Sequence, residues 1–197
     1  MMSEHESAKF ERVGSSYVLM VLGAGVLLPI LLSLIACISQ GDFRLSVMLP
    51  LALVFGIMVW IVLILMIGWG SFSAPFVKHT SKKVKDLPFR FNSSFRGRGG
   101  ILYIDVANGV IGFISAYNPF KIQIFSGARL SKMQTLASAM TGVRFVFNID
   151  NKKVSMYTLL TNRAYSIKSG IGAEAVSKAD TFVELLKAAK SQAERNQ

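Results

Sequence analysis

Residues 17–38 read YVLMVLGAGVLLPILLSLIACI and residues 47–69 read VMLPLALVFGIMVWIVLILMIGW, two long apolar runs without a single charge. At a rise of about 1.5 Å per residue the first makes a helix of roughly 33 Å, which matches a hydrocarbon core of about 30 Å. Pro29 predicts a kink rather than an end, because neighbouring groups in a membrane helix satisfy the backbone that proline frees. Only SQGDFRLS, residues 39–46, separates the runs. A connection that short permits only an antiparallel helical hairpin, with both chain ends on one side of the membrane. Neither run holds an Asp, Glu, His, Lys or Arg side chain, so a proton path, an ion site or a transporter core has no chemical basis there. Ala52/Gly56 and Ser33/Cys37 have the small-residue spacing that lets the two helices pair closely, and the hairpin reads as an anchor with an oligomerising face.

The remaining sequence has ordinary polarity, so the mean hydropathy of +0.46 comes mainly from the hairpin. Charge is also uneven. The whole chain carries +11, while from Ser71 onward 19 Lys/Arg stand against 7 Asp/Glu, a balance of +12. A basic domain next to a bilayer has anionic headgroups as its nearest counter-charge. Binding to nucleic acid would need exposed aromatics at stacking spacing, and Phe145 and Phe147 fall on the expected core face. The expected partners are therefore anionic headgroups of the bilayer and a protein partner or second copy reached through the hairpin, with no nucleic acid.

Basic residues flanking spans favour the cytoplasm. The hairpin loop has Arg44 alone, the tail has Lys9 and Arg12, and Lys78, Lys82, Lys83 and Lys85 follow the second run. This asymmetry predicts both termini in the cytoplasm, and the expected location is a multi-pass setting in the bacterial inner membrane. Glu4, Glu6 and Glu11 in the tail, and the length of the first run, argue against a cleaved signal peptide. LIAC at 34–37 resembles a lipobox, but it lies late and a second span follows, so Cys37 reads as a cysteine packed in a membrane helix.

Past the hairpin, residues 71–100 hold Pro75, Pro88, four lysines and Gly97, Gly99 and Gly100, which predicts an extended basic linker. The period then becomes twofold. Residues 101–106 and 110–115 flank Asn108-Gly109, a hairpin signal. Asn118-Pro119 leads into 120–125, where Phe120, Ile122 and Ile124 alternate with Lys121 and Gln123. Residues 129–136 make a weaker strand, with a small-residue loop over 138–142. In 143–149, Val143, Phe145, Phe147 and Ile149 share one face; Asp150-Asn151 turns the chain into 152–160. A further strand is placed near 89–91. The last segment has helical spacing, with Val176, Ala179, Val183, Leu186 and Lys190 as a stripe widened by Phe182 and Leu185, and its start is placed near Ala173. The organisation is then a tail over 1–16, a hairpin over 17–70, a linker over 71–100 and a β domain with a closing helix over 101–197. The segment 86–197 is expected to fold alone.

An antiparallel meander of six or seven strands closed by a C-terminal amphipathic helix resembles the pleckstrin-homology superfold. ILYID at 101–105 with its Asn108-Gly109 turn, 120–125 leading to Arg129-Leu130, and 182–188 resemble the small bacterial PH-like domains attached to membrane hairpins, a family of unknown function. The resemblance implies an α+β chain whose antiparallel barrel or sandwich is capped by a helix, and it implies no activity.

Catalysis needs a nucleophile with a base, paired carboxylates or a metal set. The acids of the β domain, Asp105, Asp150, Glu174, Asp180, Glu184 and Glu194, show no pairing pattern, and Asp105 and Asp150 fall at strand ends or turns, where Asp is ordinarily structural. One cysteine and two distant histidines give no zinc spacing. No catalytic residue, cofactor or metal is expected. RGRGG at 96–100 lacks the P-loop lysine and serine and precedes a strand rather than a helix. The contact residues to consider are thus Lys78, Lys82, Lys83, Lys85, Arg96 and Arg98, with Arg129, Lys132 and Arg144 as further surface charges. The reading is a membrane-anchored, non-enzymatic binding or adaptor protein; the alternative is a plasmid- or phage-encoded superinfection-exclusion (immunity) membrane protein.

Overall fold

The computed structural model describes residues 9–41, 44–69, 71–138, 142–158 and 166–197. Asp42, the loop residues 139–141 and the end of the last expected strand at 159–160 lie outside them.

Helix α1, Ser15–Gln40, and helix α2, Leu45–Trp69, come first. α1 runs through Pro29 and stops at Gly41, whose φ of 70° aims its amide at the carbonyls of Cys37 and Ile38. Both helices are long and apolar enough to cross a membrane. Helices this apolar would form the core of a soluble protein, yet only 17% and 6% of their most apolar windows are buried. Among the described residues, every exposed large hydrophobic side chain except Val13, Phe120 and Ile171 lies on these two helices. They pack on each other along Gly25, Pro29, Ser33 and Cys37, spaced four apart on α1. At Gly25 a Cβ would come within 2.5 Å of the Trp60 indole. Ser33 and Cys37 therefore lie on the seam as expected. Gly56 does not mark a close approach, since a Cβ there would meet nothing within 4 Å.

The linker is not extended throughout. Helix α3, Ala74–Lys82, has a proline in its first turn, where the missing N–H leaves no bond unmade, and it continues as a 3-10 turn over Lys83–Asp86. Val77, Thr80 and Val84 face inward, while the lysines face out. The first strand is β1, Ser93–Gly97, not 89–91.

β1 pairs with β2 (Gly100–Asp105), β2 with β3 (Val110–Ser115) and β3 with β4 (Asn118–Ser126), making one antiparallel sheet; β5 (Leu130–Ser138), β6 (Gly142–Ile149) and β7 (Lys152–Tyr157) make another. The two sheets remain separate, so the chain is α+β but the strands do not close into a barrel. Asp150 and Asn151, with φ of 48° and 65°, form the two-residue turn whose twist suits a hairpin. The turn at Asn108-Gly109 is longer, because the last pair is Asp105 with Val110. There the buried Asp105 carboxylate accepts hydrogen bonds from the Asn108 amide at 3.1 Å and its Nδ2 at 2.7 Å.

Helix α4, Gly170–Arg195, starts three residues before the expected point, where the Ser169 hydroxyl accepts the Gly172 N–H. Its buried face is mostly alanine, Ala175, Ala179, Ala189 and Ala193 with Val183 and Leu186. Small side chains bring it close to the turns: a Cβ at Gly127 would meet the Ala189 carbonyl at 2.6 Å. One core joins both sheets and α4, including Leu102, Ile104, Phe113 and Phe125 from the first sheet and Phe145, Phe147 and Met156 from the second. A smaller cluster of Val77, Val84, Ile101 and Ile114 packs α3 onto the outer face of the first sheet.

Candidate functional site: an arginine-lined cavity beside the apolar helices

Residues 9–14 form a strap that ties α1 to the β domain. Phe10, 1% exposed, enters the core between Phe113 and Phe125, with ring centroids 6.0 and 6.3 Å away. The strap backbone is bonded largely by side chains. The Glu11 amide donates to Gln123 Oε1 and Gln123 Nε2 donates back to the Glu11 carbonyl, both at 2.7 Å. Lys152 Nζ donates to the Phe10 carbonyl at 2.7 Å, and Ser115 Oγ to the Arg12 carbonyl at 2.8 Å. The Gly14 amide donates to the Tyr117 carbonyl at 2.9 Å, one residue before α1 begins.

Asp150 anchors the strap by accepting the Phe10 amide at 3.2 Å while paired with Arg129, whose Nε lies 2.8 Å from its Oδ1. That hydrogen bond from Arg129, together with the Phe10 amide and the Arg129 and Lys152 charges, holds the carboxyl below the usual carboxylate range, against partial burial that pushes it up. A depressed carboxyl pKa contributes stability that is present above the unfolded value of about 3.9 and is lost as pH falls through the folded value. Acidification below about pH 4 is therefore expected to release the strap. The Phe10 amide should exchange hydrogen faster there by more than the bulk-pH correction, and Asp150→Asn should remove this step. An Asp150→Asn profile with the same step would refute the assignment. Asp105 and Asp150 are thus both occupied in holding turns, as their positions suggest. Arg129 is not a free surface charge, because Asp150 pairs with it.

Beneath the strap lies a cavity of about 360 Å³ between the domain and the end of α2. Its wall includes Arg12 from the strap, Ile67 and Gly68 from α2, Arg98 from the β1–β2 turn, Tyr117 from the β3–β4 turn, Arg144 from β6 and Ser155 and Tyr157 from β7. The guanidinium carbons of Arg98 and Arg144 sit 6.0 and 5.8 Å from the same Tyr157 ring centroid, and that of Arg12 is 5.9 Å from the Tyr117 ring. Arg98 also donates from Nε and Nη2 to the Gly68 carbonyl, at 3.1 and 2.6 Å, capping the C-terminal end of α2. Among the described residues no Asp or Glu lines the cavity. Glu11, next to Arg12 in sequence, leans instead toward Lys121 at 3.9 Å. On its wall, Arg144 Nε and Ser155 Oγ are buried with no hydrogen-bond partner among the described residues.

Of the six contact residues expected from sequence, only Arg98 lines this cavity. Arg96 joins Arg98 around a smaller adjoining cavity of about 200 Å³. Lys78, Lys82, Lys83 and Lys85 are exposed on α3 and the turn after it, and none lines either cavity. Arg12 and Arg144 carried different weight in the sequence, one as a topology signal and the other as a free surface charge. Arg144 is half-buried and faces Tyr157 directly across the β6–β7 ladder. The register that joins residues 13 apart, and the strap that brings Arg12 within reach, are not signalled by any local pattern. Among the described residues no three His, Cys, Asp or Glu side chains gather as a metal site. Comparison of the chain with protein families, with curated proteins and with solved structures finds no match.

Proposed function

We propose that the chain is a membrane-anchored, non-enzymatic binding or adaptor protein that holds a basic PH-like domain at the cytoplasmic face of the bacterial inner membrane. The observation that carries this reading is the junction between the two parts. An arginine-lined cavity with no acid among its described residues opens where the apolar helices meet the domain, so the groups best suited to bind an anion lie where an anionic bilayer surface would be. The exposed lysines of α3 and its following turn lie on the same stretch of chain as the end of α2 and add to that basic surface. Four strands, then three, then one long C-terminal helix support the PH-like reading. The engagement of Asp105 and Asp150 in turns supports a binding role over a catalytic one.

Both termini are expected in the cytoplasm, on the asymmetry of basic residues flanking the helices. A green fluorescent protein fused after Gln197 should fluoresce, and alkaline phosphatase fused there should be inactive. High phosphatase activity with a dark fluorescent fusion would put the domain on the opposite side and remove the reading.

A further inference from the structure

We propose that the cavity bounded by Arg12, Arg98, Arg144 and Tyr157 is a phosphate-binding site, and that the phosphate it takes belongs to the headgroup of a lipid in the adjoining leaflet. The lipid source rests on the reading of α1 and α2 as membrane spans; the phosphate chemistry does not.

Electrostatics supplies the first argument. Two guanidiniums approach one tyrosine ring and a third stands at the same cavity, with no carboxylate among the described residues of the wall. Like charges in a partly enclosed space repel in a reduced dielectric, and an anion between them turns that repulsion into attraction. Arg129, half-buried like Arg144, is paired with Asp150, whereas no acid among the described residues lines the wall beside Arg144.

Hydrogen bonding supplies the second. Buried polar groups almost always have partners. Arg144 Nε and Ser155 Oγ have none among the described residues, and both residues line the cavity. Arg144 can only donate through Nε, and a serine hydroxyl can donate as well. The missing ligand is therefore an acceptor with several oxygens. A guanidinium fork meets phosphate in a bidentate fashion, and a phosphomonoester carries about −1.5 to −2 charges, closer to what three arginines require than a single carboxylate is.

Position supplies the third and selects the source. Ile67 and Gly68 form part of the wall, and Gly68 belongs to the last turn of α2. A phosphate held there sits at the level where the apolar helix ends, which in a bilayer is the headgroup layer.

The test uses the full chain, purified in neutral detergent and stripped of lipid. Three probes are titrated: dihexanoyl phosphatidic acid, which has both phosphate and tails; inorganic phosphate, which has no tails; and dihexanoyl phosphatidylcholine, whose phosphate is masked by choline. Phosphatidic acid should bind tightest, and phosphatidylcholine should be weaker by about tenfold or more. Arg144→Gln should weaken phosphatidic acid by about tenfold or more, and Arg12→Gln by severalfold. Arg195→Gln, with the same change in net charge at the far end of α4, should leave binding unchanged. Arg12→Gln guards against a folding artefact, because the strap bond at that position uses the Arg12 carbonyl and not its side chain. If inorganic phosphate binds as tightly as phosphatidic acid, with the same dependence on the two arginines, the phosphate site holds and the lipid source is overturned. If neither phosphate probe binds, or if both bind equally well to the Arg144→Gln and Arg12→Gln chains, the site itself is overturned. Alkaline carbonate extraction of native membranes separates the underlying reading: release of the chain removes the anchor, whatever the titrations show.

Discussion

Replacing Phe10 by alanine is expected to destabilise the β domain by about 3–5 kcal/mol, the range for deleting a buried phenylalanine ring. The residue lies in what composition alone marks as a tail, so a loss of that size would have no explanation if the strap were undocked. In the structure the ring is 1% exposed and packs on Phe113 and Phe125, and its own backbone is held at both the amide and the carbonyl. The measurement is a thermal or urea melt of the full chain in detergent, followed by near-ultraviolet circular dichroism. A domain has about 5–15 kcal/mol in total, so this one substitution removes a large share of it. An unshifted melt would refute the docking. The segment 86–197, expected to fold alone, would do so without Phe10, Val77 and Val84, which fill the main core and the outer cluster.

Phe145→Asp has the largest expected effect of any single change. The ring is fully buried among Phe95, Phe147 and Phe182, with centroids 5.0, 6.0 and 5.7 Å away. An isolated carboxylate there has no partner, and its burial costs several kcal/mol beyond the loss of packing. The two contributions together match or exceed the whole stability of a domain, so the β domain should not fold, while α1 and α2, stabilised by lipid or detergent, keep their helical signal. Limited trypsin digestion reads this out at Lys152 and Lys153, which sit in an ordered hairpin in the parent chain. Rapid cleavage there is expected in the variant; parent-like protection would refute the core assignment.

Much of the architecture is legible in the sequence because its signals are local. The two uncharged runs, the twofold alternation in β6 and the turn at Asp150-Asn151 each depend on a few consecutive residues. β2 and β3 carried a further message, since strands apolar on both faces read as continuous runs and imply cover on each side. Here the second cover is α3, hidden in the sequence because a nine-residue helix with a proline at its start and lysines on its outer side resembles a basic linker. The Asn108-Gly109 signal located its hairpin but not the loop length, which Asp105 sets by gripping Asn108 from inside the fold. The cavity was the least legible part. Its arginines come from positions 12, 98 and 144, brought together by a strap, a tight turn and a ladder, and such long-range convergence leaves no periodic trace.

The strap also bears on how the chain is made. Phe10 precedes α1 and Val77 follows α2, yet the two fill clusters of one β domain whose strands are synthesised later. The segment before α1 must therefore remain available until the strands that follow α2 have been made. Only a hairpin whose two ends return to the same side lets both fillers reach the domain. A chain with one helix left uninserted would have a hole in its core and sticky apolar surface around it, the kind of species that quality-control proteases remove. Were both helices membrane-inserted, the buried ring at residue 10 would tie the folding of the domain to the insertion of the pair.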